Sequence, residues 1–265
     1  MRVFRYLRLA LLLTVLLGGC EAMFEFNLFS GMEQVDLPDA ESLNGMSEAE
    51  ALAYLQQQML STVFVDALAA DPQALQDVLD YLETHGGTPP PLTENEKLAT
   101  ILYADLQLKV CGGEDLVNNV AAIIVGGEIE SIDSPAEAET FLADNLQNII
   151  PPEAMASQEA FNTMLDGFDE AWDAYAAFAG SIDGDPDTDE VPEDVNMGDV
   201  TQKALFAFLI DEAVNDMYGS SSAGRQALWE LANGQDPATA PSDYPDLSDP
   251  QLGAIFDEAG IDFGS

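Results

Sequence analysis

The stretch SQEAFNTMLDGFDEAWDAYAAFAG, from Ser157 to Gly180, decides the fold class. Its large apolar residues Phe161, Met164, Leu165, Phe168, Trp172, Tyr175 and Phe178 recur at steps of three and four. Residues so spaced are neighbours on a helix surface, so the stretch reads as one long α-helix with a continuous apolar face. An aromatic stripe at this spacing belongs in a core. The other use of Trp172, Tyr175 and Phe178 is the lining of a ligand groove.

The same period extends outward in both directions. Downstream, Leu205, Phe208, Leu209, Ala213 and Met217 follow it from about Asp199. Leu228, Trp229 and Leu231 mark a short helix closing at Asn233-Gly234, and Leu252, Ile255 and Phe256 a last one after Asp249-Pro250. Upstream, Ser134-Pro135 opens a helix carrying Phe141, Leu142, Leu146 and Ile149, which Pro151-Pro152 ends. Leu116, Val120, Ile123 and Ile124 precede the Gly126-Gly127 stop. Thr93-Glu94-Asn95-Glu96 opens a helix with Leu98, Ile101, Leu102, Leu106 and Leu108, stopped at Gly112-Gly113. Asp71-Pro72 opens one with Leu75, Val78, Leu79 and Leu82. Ser47-Glu48-Ala49-Glu50 is a capping box ahead of Leu52, Leu55, Met59 and Leu60. No strand alternation or hairpin signal interrupts the series. The expected fold is all-α: an irregular helical bundle or short array of αα-hairpins, with about seven to nine helices.

The chain starts with Arg2, Arg5 and Arg8, an apolar run from Leu9 to Leu17, then Leu17-Gly18-Gly19-Cys20. A basic start, a short apolar core and small residues at a cleavage site are the parts of a secretion signal. The apolar run is shorter than the about 20 residues of a spanning helix. The segment resembles the signal peptide of bacterial lipoprotein precursors, which ends in a lipobox. The resemblance implies that Cys20 becomes the lipidated N-terminus of the mature protein and holds it to a membrane of the cell envelope, on a periplasmic or outer-surface face. Each buried CH₂ of such a lipid contributes about 0.8 kcal/mol. Glu21 leaves the choice of membrane open. The expected organisation is a signal peptide at 1–19, a lipidated tether at 20–46 containing Phe24, Phe26, Leu28 and Phe29, and a helical domain at 47–265. An Asp-rich linker at about 181–199 is expected to divide that domain into two lobes.

The whole chain has 7 bases and 49 acids. Cleavage before Cys20 removes three arginines and no acid, leaving Lys97, Lys109, Lys203 and Arg225 against 49 acids, a formal charge of −45. Such a surface repels nucleic acid and anionic membrane. It also repels itself unless salt screens it, and at 1 M salt the screening length is about 3 Å. The hydrophobic fraction of 47% is far above that of a disordered acidic tail. Folded acidic chains with so few lysines resemble exported proteins of salt-loving organisms; the alternative is a calcium-rich or polycation-binding surface.

Candidate chemistry is sparse. Asp183, Asp185, Asp187 and Asp189 alternate as oxygen ligands do in calcium loops. An EF-hand would need Gly at loop position 6 and Glu at position 12, where this chain has Thr188 and Asp194. The expected cofactor is therefore none, with Ca²⁺ at Asp183–Asp189 as the alternative. His85 adjoins Gly86-Gly87 at a helix end, where a polar ring caps carbonyls. Cys111, left single once Cys20 is lipidated, reads as a small buried apolar residue. No nucleophile elbow or phosphate-binding glycine loop occurs, and with 49 acids a carboxylate pair alone does not identify a hydrolase.

Two helical hairpins, Thr93–Gly127 and Asp199–Gly234, are alike in length and in carrying a Lys in the first turn (Lys97, Lys203). At about 35 residues each they are weakly similar to tetratricopeptide repeats and to the helical-hairpin accessory lipoproteins of some transporters, although the repeat's small and aromatic residues do not align. The resemblance implies a non-enzymatic scaffold or accessory subunit with an envelope protein partner. The alternatives are a calcium- or solute-binding lipoprotein and a carboxylate-pair hydrolase.

Overall fold

The structure, a computed structural model, describes residues 36–87, 89–91, 93–125, 149–182, 191–192, 195–239, 241 and 249–260. These residues form ten α-helices and no strand. In chain order they are α1 (Ala40–Asn44), α2 (Glu48–Gln58), α3 (Thr62–Ala70), α4 (Pro72–His85), α5 (Glu94–Val110), α6 (Gly113–Val125), α7 (Gln158–Ala179), α8 (Met197–Asn215), α9 (Ser221–Ala232) and α10 (Pro250–Glu258). A single 3-10 turn, Ala154–Ala156, precedes α7. The all-α class is as expected.

Helices start where the side-chain chemistry can satisfy their free N–H groups. Ser47 and Thr93 each exchange hydrogen bonds with the Glu three residues on, as a capping box requires. Asp71 and Asp249 accept from backbone N–H groups of the first turn, and Pro72 and Pro250 follow them, where no N–H is needed. Asp39 and Ser42 form a third reciprocal cap on α1, which the sequence reading placed in the tether. Leu43 of α1 is fully buried and Leu37 packs on the core, so residues 36–46 belong to the fold.

The second departure concerns α2 and α3. The sequence pattern puts Leu60 on one helix face with Leu52, Leu55 and Met59. The helix instead ends at Gln58, Met59 caps it and is buried, and Leu60 sits in the turn before α3, 70% exposed. The helix expected from Ser134-Pro135 lies outside the described residues up to Ile149, which is buried beside Ile150.

Two apolar clusters meet along α5. Leu52, Leu55, Phe64, Leu68 and Leu82 of α2–α4 pack with Ala99, Leu102 and Leu106 of α5. From the other side of α5, Ile101, Ala104 and Leu108 join Phe161, Phe168, Tyr175 and Phe178 of α7, Leu205 and Phe208 of α8, and Leu252 and Ile255 of α10. The α7 stripe is thus core, and Trp172 meets Phe208 edge to face at 5.0 Å rather than lining a groove. The second cluster contains residues from both sides of the Asp-rich segment, with Ile182, Val191 and Val195 packed into it. That segment therefore does not divide the domain: its ends are pinned to one core, and the division that exists runs through α5.

Candidate functional site

Of the residues singled out from sequence, Cys20 and Asp183, Asp185, Asp187 and Asp189 lie outside the described residues. Among those described, no group of three or more His, Cys, Asp or Glu side chains is placed to hold a metal ion, and no helix is long and apolar enough to cross a membrane. His85 ends α4, where its Nδ1 donates to the Tyr81 carbonyl at 2.7 Å and its ring stacks on Tyr81 at 4.0 Å. Cys111 caps α5 with its thiol directed at the Leu108 carbonyl, and burial pushes that thiol up to about 12. Thiolate is the reactive form, and the surroundings of the partly buried Cys111 disfavour it.

Lys203, Lys109 and Arg225 each pair with an acid on another helix, in pairs that the sequence alone does not reveal. Lys203 of α8 is buried, with Nζ 3.1 Å from Asp105 of α5 and 2.7 Å from Asp199 one turn back. Tyr175 of α7, fully buried, donates to the other Asp105 oxygen at 2.6 Å. Burial opposes the Lys203 charge, but Asp105 and Asp199 outweigh it and hold the ammonium protonated. Burial and the Asp105 carboxylate together push Tyr175 well above an ordinary phenol. Lys109 joins α5 to Glu114 of α6 at 2.8 Å, and Arg225 joins α9 to Asp166 of α7 at 2.7 Å. Lys97, the fourth base, is also buried.

A cleft of about 260 Å³ opens between the end of α4, the proline loop after it, and α7. Gly87 turns the chain there at φ +75°, and a Cβ at that point would lie 2.8 Å from the Glu96 carboxylate that caps α5. Leu82, Pro89, Pro91, Ala174 and Ala177 give the cleft an apolar lining, and Tyr103 and Thr100 of α5 contribute from below. Its charged lining residues are Glu83, Glu170 and Asp173, with no base among them. Tyr103 donates to Glu170 at 3.2 Å and accepts from Gln107 at 3.0 Å. Burial, reinforced by Glu170, raises the Tyr103 phenol, so it stays protonated at neutral pH. Burial first, then nearby Asp169, also raises Asp173. Apolar walls with an aromatic ring and carboxylates at the rim suit a group with an aliphatic stem and a positive head.

A second acidic group adjoins it. Asn215 of α8 donates through one nitrogen to Asp211 at 2.5 Å and to Asp169 of α7 at 3.2 Å. Half-buried Asp211 is pushed up to about 7, by desolvation first and then by its hydrogen bond with Asp169. Sequence reasoning missed both the cleft and this pair. Asp166, Asp169, Glu170 and Asp173 do recur along the polar side of α7 at helical spacing, which was the available signal.

No protein-family model, curated protein or solved structure matches this chain. Its function therefore rests on its own residues.

Proposed function

We propose that the chain is a lipid-anchored protein of the cell envelope, adapted to high salt, which acts as a non-enzymatic scaffold or accessory subunit and receives a basic segment of a partner protein in the cleft beside Tyr103. The anchor rests on Leu17-Gly18-Gly19-Cys20. The binding role rests on one observation: the cleft's charges are Glu83, Glu170 and Asp173 alone, around an apolar and aromatic lining. A lysine or arginine stem would lie on Ala174 and Ala177 with its head at the carboxylates. At high salt only ion pairs in contact keep their strength, so a cleft that also buries the stem selects a partner where a merely charged surface does not. Asp169 and Asp211 are the close pair a carboxylate hydrolase would need, but neither lines the cleft, which favours a role in helix packing.

The test uses a fluorescein-labelled nonapeptide of alternating lysine and alanine, titrated with the detergent-solubilised protein in 0.5 M NaCl. The doubly substituted Glu170→Gln, Asp173→Asn protein should bind about tenfold more weakly, a loss of about 1.4 kcal/mol. A protein carrying Asp66→Asn and Glu159→Gln, exposed acids outside the cleft, loses the same charge and should bind nearly as wild type. Equal weakening of both would mean that the peptide reads only net charge, and the cleft assignment would fail.

A further inference from the structure

The acidic pair between α7 and α8 carries a second role, independent of the cleft. Asp169 Oδ1 and Asp211 Oδ1 accept from the same Asn215 nitrogen, so the two carboxyl groups are separated by no more than those two bonds allow. Two carboxylates so close cannot both ionise without repulsion. Asp173 stands one turn further along α7 and adds its charge to both. Two cations of the neighbouring elements, Arg225 and Lys203, are held by other acids. Arg225 of α9 is held by Asp166 and by the Asn162 carbonyl, one turn before Asp169. Lys203, two turns before Asp211 on α8, is held by Asp105 and Asp199. Among the described residues, the groups that act on Asp211 are Asp169 and Asp173 from α7 and Asn215 from its own helix.

We propose that Asp169 and Asp211 form a proton-operated catch between α7 and α8. With one proton shared, the pair is a hydrogen bond joining the helices, with Asn215 donating to both sides. With the proton released, two carboxylates face each other and Asn215 holds them alone. The catch is closed in mildly acidic surroundings and strained in alkaline ones. The ordering agrees with the burial-driven rise of Asp211 to about 7. Its sign is that of a group held protonated by the fold: the stabilisation is complete below the unfolded carboxyl's range near 4 and is lost as pH rises through about 7. Salt should move the release downward in pH, because screening weakens the repulsion that retains the proton. Release also adds charge beside Asp173, which lines the cleft, so a basic peptide should bind more tightly above pH 7; this last consequence rests on the cleft reading, whereas the catch does not.

The experiment follows thermal melting of the full chain in detergent from pH 5 to pH 8 at fixed ionic strength, beside Asp211→Asn. The amide keeps position 211 neutral at every pH, so no second charge comes to face Asp169. The variant's lead over wild type should be smallest at pH 5 and should widen by about 2–4 °C or more by pH 8. Asp169→Asn should behave alike, and the double variant should add nothing further, because either change alone removes the facing charges. Curves that stay parallel from pH 5 to pH 8 would overturn the proposal. Should the variants not fold, infrared spectra of wild-type protein labelled with ¹³C at the aspartate carboxyls decide it: a carboxyl band that titrates between pH 6 and 8 sustains the catch, and titration confined to below pH 5 overturns it.

Discussion

Lys203 shows how much of this protein depends on a single side chain. It sits 8% exposed, bracketed by Asp105 and Asp199, with Tyr175 closing the same carboxylate from α7. Removing one partner of a buried ion pair leaves the other charged and desolvated, which costs more than the pair contributes. Lys203→Met should therefore lower stability by about 3 kcal/mol or more, measured by denaturant unfolding, while Lys203→Met combined with Asp105→Asn should recover part of that loss. Equal stability of Lys203→Met and wild type would show that the network is incidental. Asp199, one turn away, was legible as a helix neighbour of Lys203; Asp105 was not, because 98 residues separate the partners and no local period connects them. His85 was legible for the opposite reason, since it acts on its own helix end, whereas Cys111, read as a buried apolar residue, is only partly buried and caps α5.

At the level of elements, caps carried the sequence reading. Ser47, Asp71, Thr93 and Asp249 begin helices through bonds reaching two or three residues, so local order was enough to find them. The break between α2 and α3 was hidden because Met59 and Leu60 prolong the apolar pattern past the real helix end. The first half of α8, Val200 to Phe208, is buried on every side, so no polar stripe marks its orientation. Packing between helices relies on two glycines. A Cβ on Gly167 of α7 would fall 2.5 Å from the Cys111 side chain, and one on Gly224 of α9 would overlap the Val214 carbonyl of α8. Alanine ordinarily favours a helix by up to about 1 kcal/mol over glycine. Here overpacking should prevail: Gly224→Ala should lose about 1–3 kcal/mol, and Gly167→Ala somewhat less, since a cysteine side chain can yield where a backbone carbonyl cannot. A gain in melting temperature for Gly224→Ala would refute the close approach of α8 and α9.

For the whole molecule, the disposition of charge governs behaviour. Lys97 and Lys203 are buried, and Lys109 and Arg225 are only 16% and 19% exposed, so the described surface is almost wholly acidic. The sequence disclosed the excess of acid but not the inward placement of the bases, which depends on helices far apart in the chain. The fold then combines one buried ion pair, Lys203–Asp105, which salt screens little, with exterior repulsion that salt relieves. The direct measurement is circular dichroism melting of the detergent-solubilised chain, with NaCl raised from near zero to several molar and then with millimolar CaCl₂ at fixed ionic strength. The account predicts that helicity and melting temperature rise smoothly with NaCl and that calcium adds nothing beyond its ionic strength. A fold indifferent to NaCl but stabilised by millimolar calcium would contradict it, and would transfer the role of the acids to a metal site at Asp183–Asp189.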